Sequence, residues 1–129
     1  MSFLPHKQEK GLQGWEYIPA AAGSYEVGQM LTVTGGKVGS IGSALKTTPP
    51  YVSMAKKTVT DGENLPVMRV KPDTVFKTTL SAETATAAIG AKLEVSAGGL
   101  AVDGTAAGTF ELTYVEGTAA GSVVTGRFV

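Results

Sequence analysis

Residues 27–33 read VGQMLTV and residues 89–95 read IGAKLEV. Each phrase runs aliphatic, Gly, two variable residues, Leu, one variable residue, Val, and the second begins 62 positions after the first. Side chains alternate along a strand, so a Leu and a Val two apart share one face. The Gly ahead of them supplies a sharp entry that a side chain would obstruct. The phrase therefore predicts a strand entered from a turn, written twice in one chain.

The likeness continues outward. Thr34-Gly35-Gly36-Lys37-Val38 lines up with Ser96-Ala97-Gly98-Gly99-Leu100. YVSMA from residue 51 lines up with FELTY from residue 110, and PVMRV ending at Val70 with TGRFV ending at Val129. Each copy, about residues 27–70 and 89–129, reads strand, Gly turn, strand, loop, strand, turn, strand. A solenoid needs at least about three such units. Two copies instead predict an all-β domain over residues 25–129, a small barrel or sandwich made of two similar modules.

Within the copies, QMLTVT predicts a strand with Leu31 and Val33 inward, and the paired Gly35 and Gly36 a hairpin. PYVSMA (50–55), LPVMRV (65–70), TVFKTTL (74–80), AKLEVS, TFELTYVE and VVTGRFV predict further strands. Pro66 lacks an amide hydrogen and so predicts an edge or a bulge. Phe110, Leu112 and Tyr114 are spaced to share one face. SAETATAAIG is the one stretch where a helical turn fits, with Ser81 as N-cap and Gly90 as stop.

Composition agrees with a sheet. The 129 residues include 17 Gly and no Cys. Gly and mixed Ala-Thr runs cost a helix backbone and side-chain entropy, while Val and Thr suit a pleated surface. Without Cys there are no thiolate nucleophiles, zinc-thiolate sites or disulfides. No apolar run approaches the roughly 18–20 residues of a membrane helix, and MSFLPHKQEK has no apolar core of a signal peptide. The expected protein is made in the cytosol and is soluble. Eleven basic residues balance 11 acidic ones, with the basic excess before residue 72 and the acidic excess after it. No basic patch of the density that nucleic acid requires is present.

Residues 1–24 show neither period and predict an extended N-terminal arm. Its apolar residues Phe3, Leu4, Trp15, Tyr17 and Ile18 are unusual for a solvated tail. Either the arm folds back, with Trp15 plugging one end of the barrel, or it docks on another subunit.

Catalytic chemistry is hard to place. The only His, His6, stands beside Pro5 in the arm. Ser53 and Lys56 have the spacing of a Ser-Lys dyad, but residues three apart on a strand face opposite ways. Asp61, Glu63 and Asp103 sit at Gly turns, which accounts for them without a metal. GGKVGSIGS (35–43) lacks the Ser or Thr after its Lys and the helix that a phosphate loop needs. No catalytic, cofactor-binding or metal-binding residue is expected, and the chain is read as a non-enzyme. Lys56, Lys57 and Lys71 are expected to solvate strand edges.

YEVGQMLTVTGGKV and AIGAKLEVSAGGLAV, with the GTAAGTFELTYVEGTAAGS segment, resemble small capsid decoration or stabilisation proteins of tailed bacteriophages, which are compact β-barrels. The resemblance covers residues 25–129. It implies a virion structural protein that binds the capsid exterior, contacts the major capsid protein and forms a homo-oligomer, often a trimer. It needs neither membrane nor nucleic acid. Phe3, Leu4, Trp15, Tyr17 and Ile18 are then the candidate capsid contacts. Alternatives are another phage structural barrel, from the tail or connector, and a carbohydrate-binding β module.

Overall fold

A computed structural model describes residues 3–8, 14–103 and 108–129; the side chains of His6, Lys7 and Gln8 are outside the description. The strands in chain order are β1 (Leu4–Gln8), β2 (Trp15–Pro19), β3 (Gly23–Tyr25), β4 (Met30–Thr34), β5 (Lys37–Ser40), β6 (Tyr51–Ser53) and β7 (Lys57–Val59). They continue as β8 (Asn64–Arg69), β9 (Thr74–Thr79), β10 (Lys92–Val95), β11 (Val102–Asp103), β12 (Phe110–Val115) and β13 (Val123–Phe128). The protein is all-β, with a curled half-barrel sheet and additional sheets. There is no helix among the described residues, and Ser81–Gly90 is bends and turns.

The two larger sheets have one topology. The first runs β2-β8-β6-β4-β5; the second runs β9-β13-β12-β10-β11, with β1 added outside β9. Registers agree residue by residue. Leu31 pairs with Tyr51 as Leu93 pairs with Phe110, and Tyr51 pairs with Arg69 as Phe110 pairs with Phe128. Glu16 pairs with Val67 as Phe76 pairs with Gly126. Each half closes through one parallel bridge, Ala20 to Val38 and Leu80 to Val102. The repeated Gly explains its own place. The Gly28 amide donates to the Ser53 carbonyl and the Gly90 amide to the Leu112 carbonyl, both from a positive φ of 79° and 90° that favours glycine. Val38 therefore answers Val102 rather than Leu100, because the second hairpin turn is two residues longer.

Packing differs between the halves although pairing does not. One face of the first sheet (Leu31, Val38, Leu65, Val67) closes on Ala20, Tyr25 and Val59. Its opposite face (Met30, Val52, Met68) joins Leu80, Leu93, Val102, Phe110 and Phe128 of the second half. The halves thus stack head to tail, the back of the first covering the front of the second. At the positions equivalent to Met30, Val52 and Met68 the second sheet carries Lys92, Glu111 and Arg127, paired across strands in alternating charge. Such pairs are favourable on a wet face, so the stack ends at two.

Several expectations change. The N-terminal segment is not an arm separate from the domain: β1 extends the second sheet and β2 the first. Phe3 is fully buried, with its ring 5.5 Å edge-on to Phe110 and 6.1 Å from Phe76 and Phe128. Val33 is 47% exposed; its counterpart Val95 is buried beneath the Leu45 bridge. Pro66 lies in an interior strand. Its missing donor faces a point beyond the end of β6, where the Met54 amide donates to the Pro66 carbonyl at 2.9 Å. Tyr114 leaves the face of Phe110 and Leu112, because a bulge between Leu112 and Tyr114 turns it over.

Candidate docking edge and groove

Alternation brings β2 its outward residues. Glu16 and Ile18 face the body of the first sheet, and Trp15 and Tyr17 turn to its other face, 57% and 66% exposed. Ile18 is half-buried against Leu65 and its neighbours. Trp15 therefore plugs no end of the fold. Of the five sequence-derived contact residues, Phe3 is in the core, Leu4 is exposed on β1, and Trp15, Tyr17 and Ile18 share β2. The structure gathers the last three on one edge strand and sets Phe3 apart.

The backbone of that strand is directional. In an antiparallel ladder a residue presents its N–H and C=O to the same side, alternating along the strand. Pro66, opposite Tyr17, turns its carbonyl to Met54. Tyr17 and Trp15 thus direct their amides and carbonyls away from β8, to the outer edge. The same edge of β9 is occupied by β1, with Leu4 opposite Lys77 and Lys7 opposite Val75. Among the described residues no strand pairs with the outer edge of β2 at Trp15 and Tyr17, while just beyond Pro19 the chain meets β5, where Ala20 bridges Val38 and the Ala21 amide donates to the Val38 carbonyl at 2.8 Å.

The front of β2 carries charge where β9 carries a ring. Arg69 donates to Glu16 through Nε at 3.2 Å and Nη2 at 3.0 Å, and its guanidinium lies 5.1 Å over the Tyr51 ring. Phe128, Phe76 and Phe110 hold the equivalent positions in the second half. The hydrogen bond to Glu16, with the field of Tyr51 and Glu16, raises the Arg69 pKa. Sequence reading missed this cluster because Glu16 and Arg69 are 53 residues apart and meet only through the pairing of β2 with β8.

The bulge in β12 builds the second feature. It places Tyr114, 51% exposed, beside Lys77, Glu116, Val123 and Thr125 in an open groove of about 460 Å³. The bulged Thr113 is tied to Thr125, hydroxyl to hydroxyl, at 3.0 Å.

Turn carboxylates have structural partners. Lys37 donates to Asp61 at 2.7 Å. Glu63 accepts from the Thr60 amide at 3.0 Å and pairs with Lys57 at 3.3 Å, and these contacts, the Thr60 bond foremost, lower its pKa. Ser53 is buried and donates to the Ala55 carbonyl at 2.8 Å. No cluster of three metal-ligating side chains occurs among the described residues.

No protein-family model matches this chain, and no curated protein matches it.

Proposed function

We propose that this protein is a non-enzymatic structural component of a phage particle, bound to the capsid exterior through the major capsid protein and stabilising the shell. The observation that carries this reading is Trp15 and Tyr17, two exposed aromatic rings side by side on one edge strand. Large exposed aromatics are the usual anchors of protein interfaces, each worth about 2 kcal/mol or more when buried. The resemblance of the two Gly-phrase segments to capsid decoration proteins supplies the partner. Many copies bridging neighbouring capsid subunits would add their small affinities through avidity.

Deleting residues 2–20 would not test this, since it removes Phe3 from the core and two strands from the sheets. Point variants do. Trp15→Ala and Tyr17→Ala should fold normally and lose co-sedimentation with empty phage heads; undiminished binding by both refutes the reading. The groove at Tyr114, with Lys77 and Glu116 beside a ring, favours a second reading as a carbohydrate-binding module. Glycan-array binding abolished by Tyr114→Ala would support that reading instead.

A further inference from the structure

The duplication separates what the fold requires from what has been added to it. In the first half β6 and β8 pair only from Tyr51 to Ser53, whereas in the second β12 and β13 stay paired past Leu112, through Tyr114 to Val115. The bulge and the Tyr114 groove stand on that added length, which has no counterpart in the first sheet. Function commonly resides in such sites grafted onto a scaffold. The groove also occupies the one large sheet face that stacking leaves bare. One face of the first sheet closes on Tyr25 and Val59, and its other face covers the front of the second.

The lining of the groove is set by register. Tyr114 pairs with Thr125 and Thr125 with Lys77, so the three stand side by side on one face. Tyr114 and Lys77 are therefore about 10 Å apart, two strand spacings, with Thr125 between them. Val123, two residues before Thr125, shares that face. The Glu116 amide donates to the Val123 carbonyl at 3.0 Å, which holds Glu116 beside it. Thr125 is buried and its hydroxyl is tied to Thr113, so the floor is fixed. Neither Lys77 nor Glu116 makes an ion pair among the described residues. The groove thus offers a ring, a partly apolar floor, one ammonium donor and one carboxylate acceptor.

We propose that the groove binds an uncharged pyranose of a neutral oligosaccharide, its C–H face against the Tyr114 ring and its hydroxyls bonded to Lys77 and Glu116. A hydroxyl both donates and accepts, so neighbouring hydroxyls of one sugar satisfy the ammonium and the carboxylate together. Both bonds are charge-assisted and correspondingly strong. The face of an aromatic ring is electron-rich and attracts weakly positive C–H groups. An anionic sugar would be set against Glu116 and a cationic one against Lys77, and like charges brought together reject a ligand. The groove's volume of about 460 Å³ lies within the ordinary small-ligand range of roughly 300–1,000 Å³. This inference rests on the carbohydrate reading of the groove and not on the capsid reading.

An array of hexose oligomers tests it, provided that it holds neutral and charged partners of the same sugar: N-acetylglucosamine with glucosamine, and galactose with galacturonic acid. The expected result is binding to a neutral oligomer and none to its charged partner. In calorimetry with that neutral oligomer, Tyr114→Ala should weaken binding about tenfold or more. Tyr114→Phe keeps the ring and should weaken it by under about threefold. Lys77→Met and Glu116→Ala should each weaken it about fivefold, for one lost hydrogen bond. All four are surface substitutions and should leave the β circular dichroism unchanged. Preference for the charged oligomers, or full affinity in both Lys77→Met and Glu116→Ala, overturns the inference and leaves the carbohydrate reading standing. Binding to no oligomer, or binding that survives Tyr114→Ala, overturns both.

Discussion

Gly99 of the second half meets Met30 of the first backbone to backbone: the Met30 amide donates to the Gly99 carbonyl at 2.8 Å, and a Cβ on Gly99 would overlap the Met30 carbonyl oxygen. This contact, with the Gly98 amide donating to Ile41 at 2.8 Å and the mutual bonds of Leu45 and Val95, seams the head-to-tail halves. Gly36, in the matching hairpin of the first half, has the same φ of 77° and open space around it. The two glycines separate backbone strain from close approach. Gly36→Ala should lower stability by about 1 kcal/mol, the left-handed penalty alone. Gly99→Ala should lower it by about 3 kcal/mol or more, because the seam must open as well. Urea unfolding of the pair measures the difference.

Phe3 predicts the behaviour of the N-terminus. Its amide donates to the Gly28 carbonyl at 2.8 Å and its ring completes a cluster with Phe76, Phe110 and Phe128. Phe3→Ala should destabilise by about 3–5 kcal/mol, the usual range for emptying a buried aromatic site. Leu4→Ala, one residue on and exposed, should change stability by under about 1 kcal/mol. Thermal unfolding of both variants checks this; equal shifts would mean that β1 is not held by Phe3.

The duplication was legible in the sequence because its signal is local. Gly28 and Gly90, Leu31 and Leu93, and Val70 and Val129 each sit in short phrases whose period-two alternation identifies a strand. The hairpins β4–β5, β10–β11 and β12–β13 are short-range, whereas pairings such as β2–β8 and β9–β13 join distant strands and left no local signal. What stayed hidden depends on which face meets which neighbour. Met30, Val52 and Met68 read as ordinary strand residues, and only the stacking of halves makes their face a second interior. Tyr114 fits a period of two until the bulge at Thr113, which breaks the period without any Gly or Pro to announce it. Residues 1–24 looked aperiodic because two strands of five residues, belonging to different sheets, follow one another there. The contact role of Trp15 and Tyr17 was suggested by their apolar character alone, and the fold adds their shared edge.

Gly126 shows how one register carries two packings. Its counterpart Val67 is fully buried, whereas a Cβ on Gly126 would overlap the Glu111 carbonyl and lie 2.8 Å from the Phe110 ring. Phe110 fills the volume that a side chain at 126 would take. Gly126→Ala should cost about 2 kcal/mol through overpacking, and Phe110→Leu about as much through lost volume. Combined, they should cost about 0.5 kcal/mol less than their sum, since the smaller residue relieves the ring contact while the overlap with the Glu111 carbonyl remains. A double-mutant cycle in urea reads this directly, and strict additivity would disprove the compensation.

Tyr25 gives the fold a defined alkaline limit. It is buried, its hydroxyl donates to the Ala21 carbonyl at 2.6 Å, and burial raises its pKa above the ordinary 10.0. Because the folded value is the higher one, the unfolded chain loses this proton first. Below about pH 10 both states hold it, and the contribution is fully present. As pH climbs from there through the folded value, the unfolded state binds fewer protons and stability falls. Lysines titrate nearby, so the informative quantity is wild type minus Tyr25→Phe. At neutral pH the variant should be less stable by about 1 kcal/mol, for the lost hydrogen bond. From pH 9 to 11 that gap should shrink, because phenylalanine has no proton to lose. Urea midpoints at several pH values measure it, and a constant gap would show that Tyr25 titrates alike in both states.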